Sequence, residues 1–104
     1  MMKGNKGSEN TATVTLDKPL QRGTQSVTEI VVRKPNSGAL RGTRLQALMD
    51  LDVDSMMVIL PRVTAPAVTR DELLVMEPGD LIMLSVEVVS FLLPKSVKPD
   101  FPQS

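Results

Sequence analysis

RKPNSGALRG, residues 33–42, is the stretch on which the fold turns. Before it the apolar residues recur every second position, and after it every third or fourth. Pro35 forces Lys34 out of the helical region and ends whatever strand precedes it. Asn36 or Ser37 can cap a short helical turn through Leu40, and Gly42 then suits a close-packed joint before the next element. A β-rich first third followed by helices predicts an α+β fold, an N-terminal hairpin packed on a small bundle of three to four short helices.

Upstream, TATVTL, residues 11–16, alternates cleanly, with Ala12, Val14 and Leu16 on one face and three threonines on the other. That is the pattern of a half-buried strand. VTEIVVR, residues 27–33, reads as its partner, with Ile30, Val32 and Thr28 sharing a face. Pro19 and Gly23 lie between the two runs and predict a wide connection in place of a two-residue turn.

Downstream, Thr43 and Gln46 form a T-x-x-Q capping box that predicts a helix from 43 to about 50. Asp52 or Asp54 can cap the next helix, in which Val53, Met56, Leu60 and Val63 fall on one face until Pro61 kinks or ends it. TAPAV, residues 64–68, reads as a connector. Thr69 and Glu72 make a second capping box, with Val68 and Leu73 at the two staple positions, for a helix running to Met76. Pro78 opens the last helix, residues 78–93. That helix is apolar nearly all round, its narrow polar stripe being Asp80, Glu87 and Ser90 with Met83 on the same line. Such a helix is either deeply buried or has a partner. Residues 11–94 are expected to form one domain, flanked by disordered tails at 1–10 and 95–104.

Composition narrows the chemistry. The chain of 104 residues is 41% hydrophobic but has no His, Cys, Trp or Tyr, and its aromatic residues are Phe91 and Phe101. The core must therefore be aliphatic, with seven methionines to fill irregular gaps or to adapt to a partner. Net charge is zero, yet residues 1–44 carry eight Lys or Arg against three acids, and residues 45–94 carry two against eight. The absence of cysteine removes disulfides and thiolate chemistry. The N-terminus has no apolar signal segment, and the longest apolar run, residues 81–93, is too short to span a bilayer.

Site motifs fail one by one. DLDVDS, residues 50–55, starts like a calcium loop but has Ser55 where a glycine belongs and Pro61 where a bidentate Glu belongs. RKPNSGALRG lacks the G-K-[ST] ending of a phosphate loop. No histidine is available as a base, and the acids sit at helix starts, which accounts for them. No cofactor, metal, small-molecule substrate or membrane is implied, and an enzyme is not expected.

The order of signals is more specific than any one of them. TVTLDKPL, then SVTEIVVRKPNSGALRG, LMDLDVDSMMVILPRVT and MEPGDL, resembles the tail assembly chaperones of contractile-tailed bacteriophages, the gpE-like family, over residues 11–93. Arg33, Pro35, Gly38, Leu40, Arg41 and Gly42 carry the resemblance most, with Leu60-Pro61-Arg62, Thr64 and Pro78-Gly79-Asp80-Leu81. Where the family usually has Asp-Pro-Ala-Asp, this chain has Glu77-Pro78-Gly79-Asp80. The resemblance implies a non-enzymatic protein of the host bacterial cytoplasm, encoded by a phage or prophage and absent from the mature virion. It would look after the tape-measure protein before tail-tube subunits polymerise around it. Tail tube protein and a longer, frameshifted form of the chain are further implied partners. A slippery run of T nucleotides encoding Ser90-Phe91-Leu92 would place such a frameshift near residue 92.

A client of long amphipathic helices needs an adaptable apolar surface. Met56, Met57, Met83, Val86 and Phe91 are the candidate contacts, with Arg41 and Arg44 as charged ones. For each apolar candidate the competing reading is core, and the apolar last helix serves a homo-oligomer as readily as a client. The alternative function is a small regulatory domain that binds nucleic acid through Arg33, Lys34, Arg41 and Arg44. Zero net charge and the lack of aromatic platforms weigh against it.

Overall fold

The computed structural model describes residues 10–93. The two tails expected to be disordered lie outside the described residues, apart from Asn10. Strand β1 (Thr11–Arg22) and strand β2 (Gln25–Arg33) form an antiparallel hairpin. A 3-10 helix (Ser37–Leu40) leads to α1 (Leu45–Met49) and α2 (Val53–Val63). A two-residue strand β3 (Thr64–Ala65), then α3 (Arg70–Leu74) and α4 (Pro78–Leu92) complete the order. The fold is α+β, as the change of period at Pro35 predicts.

The sheet has the order β1-β2-β3. Its inner face carries the alternating residues read from the sequence, Ala12, Val14 and Leu16 on β1 and Ile30 and Val32 on β2, all buried. Thr28, assigned to that face by parity, is exposed. β3 corrects the reading of TAPAV as a mere connector: Thr64 and Ala65 pair with Val32 and Val31. Two residues are too few for a periodic signal.

The hairpin corrects the expected wide connection. Arg22 pairs with Gln25, so the turn is the two residues Gly23 and Thr24. Gly23 has φ +62, the positive value that a type II′ turn needs at its first central position. The irregularity lies earlier. Thr15 pairs with Glu29 and Leu20 with Val27, so Leu16–Pro19 bulge out opposite Thr28. Pro19 has no N–H to give to a ladder, which suits it to such a bulge.

The helices mostly begin where local chemistry places them. Asn36 accepts a hydrogen bond from the Ala39 N–H through its side chain and caps the 3-10 helix. Asp52 accepts from the Ser55 N–H and caps α2. Thr69 and Glu72 form the full capping box of α3, with Val68 and Leu73 buried beside it, although the helix stops at Leu74 and does not reach Met76. The T-x-x-Q box does not form. The Thr43 hydroxyl donates to the Leu40 carbonyl and closes the 3-10 turn, Gln46 donates to Asp50, and α1 starts after Arg44 with no side-chain cap.

Helix α2 lays Met56, Met57, Ile59, Leu60 and Val63 into the core against the sheet, while Val53, expected on that face, is exposed at the first turn. Pro61 does not stop the helix at once; α2 ends at Val63. Thr64 then ties off the end, donating its hydroxyl to the Leu60 carbonyl at 2.7 Å and accepting from the Val68 N–H at 3.0 Å. A buried hydroxyl with both roles filled carries no desolvation penalty. Residues from β1, β2, α1, α2, α3 and α4 share one buried cluster. Among the described residues no helix is long and apolar enough to cross a membrane.

Candidate partner-binding surface

Helix α4 is where the structure departs most from the sequence reading. Its buried residues are Asp80, Leu84, Ser85 and Val88, spaced by four, one and three, so they form one inward face. Asp80 reads from the sequence as part of a narrow polar stripe, favoured at the helix start by the dipole. It is fully buried instead. Its two carboxylate oxygens accept the backbone N–H groups of Asp17 at 2.8 Å and Lys18 at 3.1 Å, in the β1 bulge. Ser85 donates to the Leu81 carbonyl.

Turning Asp80 inward turns apolar residues outward. Ile82, Met83 and Val86 are 54%, 47% and 46% exposed and lie together on the outer face. Leu74 and Val75, just before α4 in the chain, are also exposed. Burying such side chains against a partner is favourable by about 1.5–3 kcal/mol each when complete.

The candidate contacts therefore divide. Met83 and Val86 are on the surface of α4. Phe91 is half-buried and packs against the core. Met56 and Met57 lie in the core at 0% and 6% exposure, so in the folded chain they shape the interior and offer no contact surface. Helical spacing groups Met56 with Leu60 and Val63 on one face of α2, and only packing distinguishes a core face from an outer one. Ile82, Leu74 and Val75 were not singled out. Ile82 precedes Val86 by four residues, so a helical projection with Asp80 facing inward exposes it.

Arg41 and Arg44 are exposed beside the 3-10 helix. They belong to a larger basic group. Arg62, from the last turn of α2, donates through Nη1 to the carbonyls of Ala39 at 2.9 Å and Arg41 at 2.6 Å. Arg33, at the end of β2, donates through Nη2 to the Arg62 carbonyl at 2.7 Å. Gly42 has φ +85 in this joint, and a Cβ there would lie 3.9 Å from Arg62 Nη2, so its glycine answers to backbone conformation and not to crowding. The role of Arg62 had no local signal, since its acceptors lie 21 and 23 residues away.

The perturbed titratable groups are at the other end of the hairpin. Arg22 forms a two-pronged pair with Glu72, Nε to Oε2 at 2.8 Å and Nη2 to Oε1 at 2.7 Å, and also donates to the Ala67 carbonyl. The hydrogen bond from Arg22 holds the Glu72 carboxyl below its ordinary range, against a weaker upward push from burial. The same pairing pushes Arg22 up. The pair fastens the hairpin tip to α3. Among the described residues no cluster of three or more metal-ligating side chains occurs.

The chain is 42% identical to tail assembly protein E of Escherichia phage P2 over 85 residues, which is 82% of this chain and 93% of that protein. It is 38% identical over 91 residues to tail assembly protein E′ of the same phage, covering 88% of this chain and 64% of the longer relative. No solved structure matches. Residues 13–93, from β1 to the end of α4, match the family model described as phage tail assembly chaperone proteins, E, or 41 or 14, and the chain therefore belongs to the phage tail assembly chaperone family.

Proposed function

We propose that the chain is a non-enzymatic chaperone that holds the tape-measure protein in the host cytoplasm until tail-tube subunits assemble around it. Family membership supplies the role in tail assembly. The observation that carries the finer reading is the outer face of α4, where Ile82, Met83 and Val86 stand exposed on a helix whose other face is core. A long amphipathic helix presents apolar residues at the same three- and four-residue spacing, so helix-against-helix packing matches the two surfaces. Methionine adapts to changing side chains along such a client. Leu74 and Val75 add apolar surface ahead of α4. A longer companion form fits the same scheme, since E′ extends well beyond the region it shares with this chain. A frameshift near Ser90-Phe91-Leu92 would preserve nearly all of α4 in both forms.

Co-expression with the tape-measure protein of the same phage tests the proposal. The wild-type chain is expected to keep that client soluble and to co-purify with it. Met83→Glu with Val86→Lys is expected to abolish both while leaving the chaperone folded. A client equally soluble with and without the chain would refute the reading.

A further inference from the structure

We propose that the notch between the end of β2 and the end of α2 is a second binding site, one that takes carboxylate side chains of an acidic protein segment. It is separate from the apolar face of α4 and does not depend on which client that face holds.

Three observations meet there. Arg33, Lys34 and Arg62 line one joint, Arg41 and Arg44 are exposed on the segment that follows it, and the ion pair formed among the described residues is Arg22–Glu72, so none of the five has a described carboxylate within 4.0 Å. Like charges crowded without counter-charge repel, and a bound anion relieves that repulsion. The two principal guanidinium groups are also fixed in place. Arg62 spends Nη1 on two carbonyls and Arg33 spends Nη2 on one. Carbonyls orient a guanidinium but do not neutralise it, and each fork keeps donors in hand. Arg33 retains Nε and Nη1, and Arg62 retains Nε and Nη2, with no acceptor among the described residues. Finally, a cavity of about 300 Å³ opens at this point, lined by Arg33, Lys34 and Arg62 with Pro35, Ala39 and Val63, and no acidic residue contributes to its wall.

The mixture of cationic and apolar lining selects the ligand. A glutamate offers a planar carboxylate that matches a guanidinium fork, on a short methylene stem that lets it reach into the notch. Nucleic acid is a poorer fit. The lining has no aromatic side chain on which a base could stack. The chain's net charge of zero, with the acids concentrated in residues 45–94, disfavours a long polyanion more than a short acidic segment.

The test titrates the full chain, at low salt, with a short helical peptide carrying glutamates at i and i+4, and in parallel with a single-stranded DNA of equal charge. Saturable peptide binding that weakens with added salt is expected. The Lys34 side chain makes no hydrogen bond among the described residues, so Lys34→Gln is expected to weaken binding about two- to fivefold without changing the melting temperature. Adding Arg33→Gln is expected to bring the loss to about tenfold or more. Met83→Glu should leave peptide binding intact, which keeps this result apart from the client test. Absence of peptide binding, binding untouched by Lys34→Gln, or tighter binding of the DNA than of the peptide would each overturn the proposal, the last in favour of a nucleic-acid site.

Discussion

The Asp80 carboxylate holds the backbone N–H of Asp17 at 2.8 Å, joining the first turn of α4 to the bulge of β1 across 63 residues of sequence. The neighbouring Lys18 N–H binds the second oxygen. Both donors lie where β1 leaves its register with β2, so the carboxylate replaces ladder bonds that the bulge forfeits. The same contact sets the rotation of α4. With Asp80 inward, Leu84 and Val88 follow it into the core, and Ile82, Met83 and Val86 are left outside.

Asp80→Asn should therefore destabilise the chain well beyond the usual cost of an isosteric change. The amide keeps one acceptor but points an N–H at the second backbone donor. Loss of a buried charge-assisted hydrogen bond costs about 1.5–3 kcal/mol. Urea unfolding measures it, and an unchanged midpoint would rule out the clamp. Asp80→Ala, which strips both donors of their acceptor, should cost more.

Glu72 gives the stability a dependence on pH. Its carboxyl titrates below the ordinary value of 4.5 because Arg22 binds the charged form. A depressed carboxylate contributes stability that is fully present above the unfolded-state value and is lost as pH falls through the folded-state value. Glu72→Gln is expected to be about 1 kcal/mol less stable than wild type at neutral pH, the scale of a partly exposed ion pair. The gap should close as pH drops into the acid range. A gap that stays constant from neutral to acid conditions would contradict the assignment.

Leu51 occupies an unusual backbone position. Its φ is +59, and it follows α1 in a Schellman arrangement, with Asp52 N–H bonded to the Ala47 carbonyl and Leu51 N–H to the Leu48 carbonyl. Glycine is the residue that takes this conformation without strain. Leu51→Gly should thus be more stable than Leu51→Ala by about 1 kcal/mol, the reverse of the order found in helices. Thermal melts of the two variants decide it.

The methionines should separate by element. Met57→Ala removes a core side chain and is expected to cost about 2–5 kcal/mol. Met83→Ala, on the outer face of α4, should change stability by less than about 0.5 kcal/mol while reducing client solubilisation. Equal destabilisation by both would mean that α4 is not exposed as described.

The sequence by itself determined the α+β class, the point at which strands give way to helices, and the cap at Thr69, and it narrowed two further caps to Asn36 or Ser37 and to Asp52 or Asp54. Each of these rests on residues within about four positions of one another, where chain connectivity fixes the distance and only the side-chain chemistry has to be right. The same locality explains one failure: Thr43 had two nearby partners, the Gln46 N–H that its oxygen would accept in the capping box and the Leu40 carbonyl to which its hydroxyl donates, and the fold uses the second. The fold alone decided the bulge at Leu16–Pro19, the strand at Thr64–Ala65, the inward turn of Asp80, the burial of Met56 and Met57, and the locking of Arg62 onto the 3-10 helix. In those cases the partner is far along the chain, and an apolar or charged residue carries the same letter whether it faces the core or a client. Which side of α4 faces outward was settled by a single buried carboxylate finding two backbone N–H groups that β1 had left unpaired.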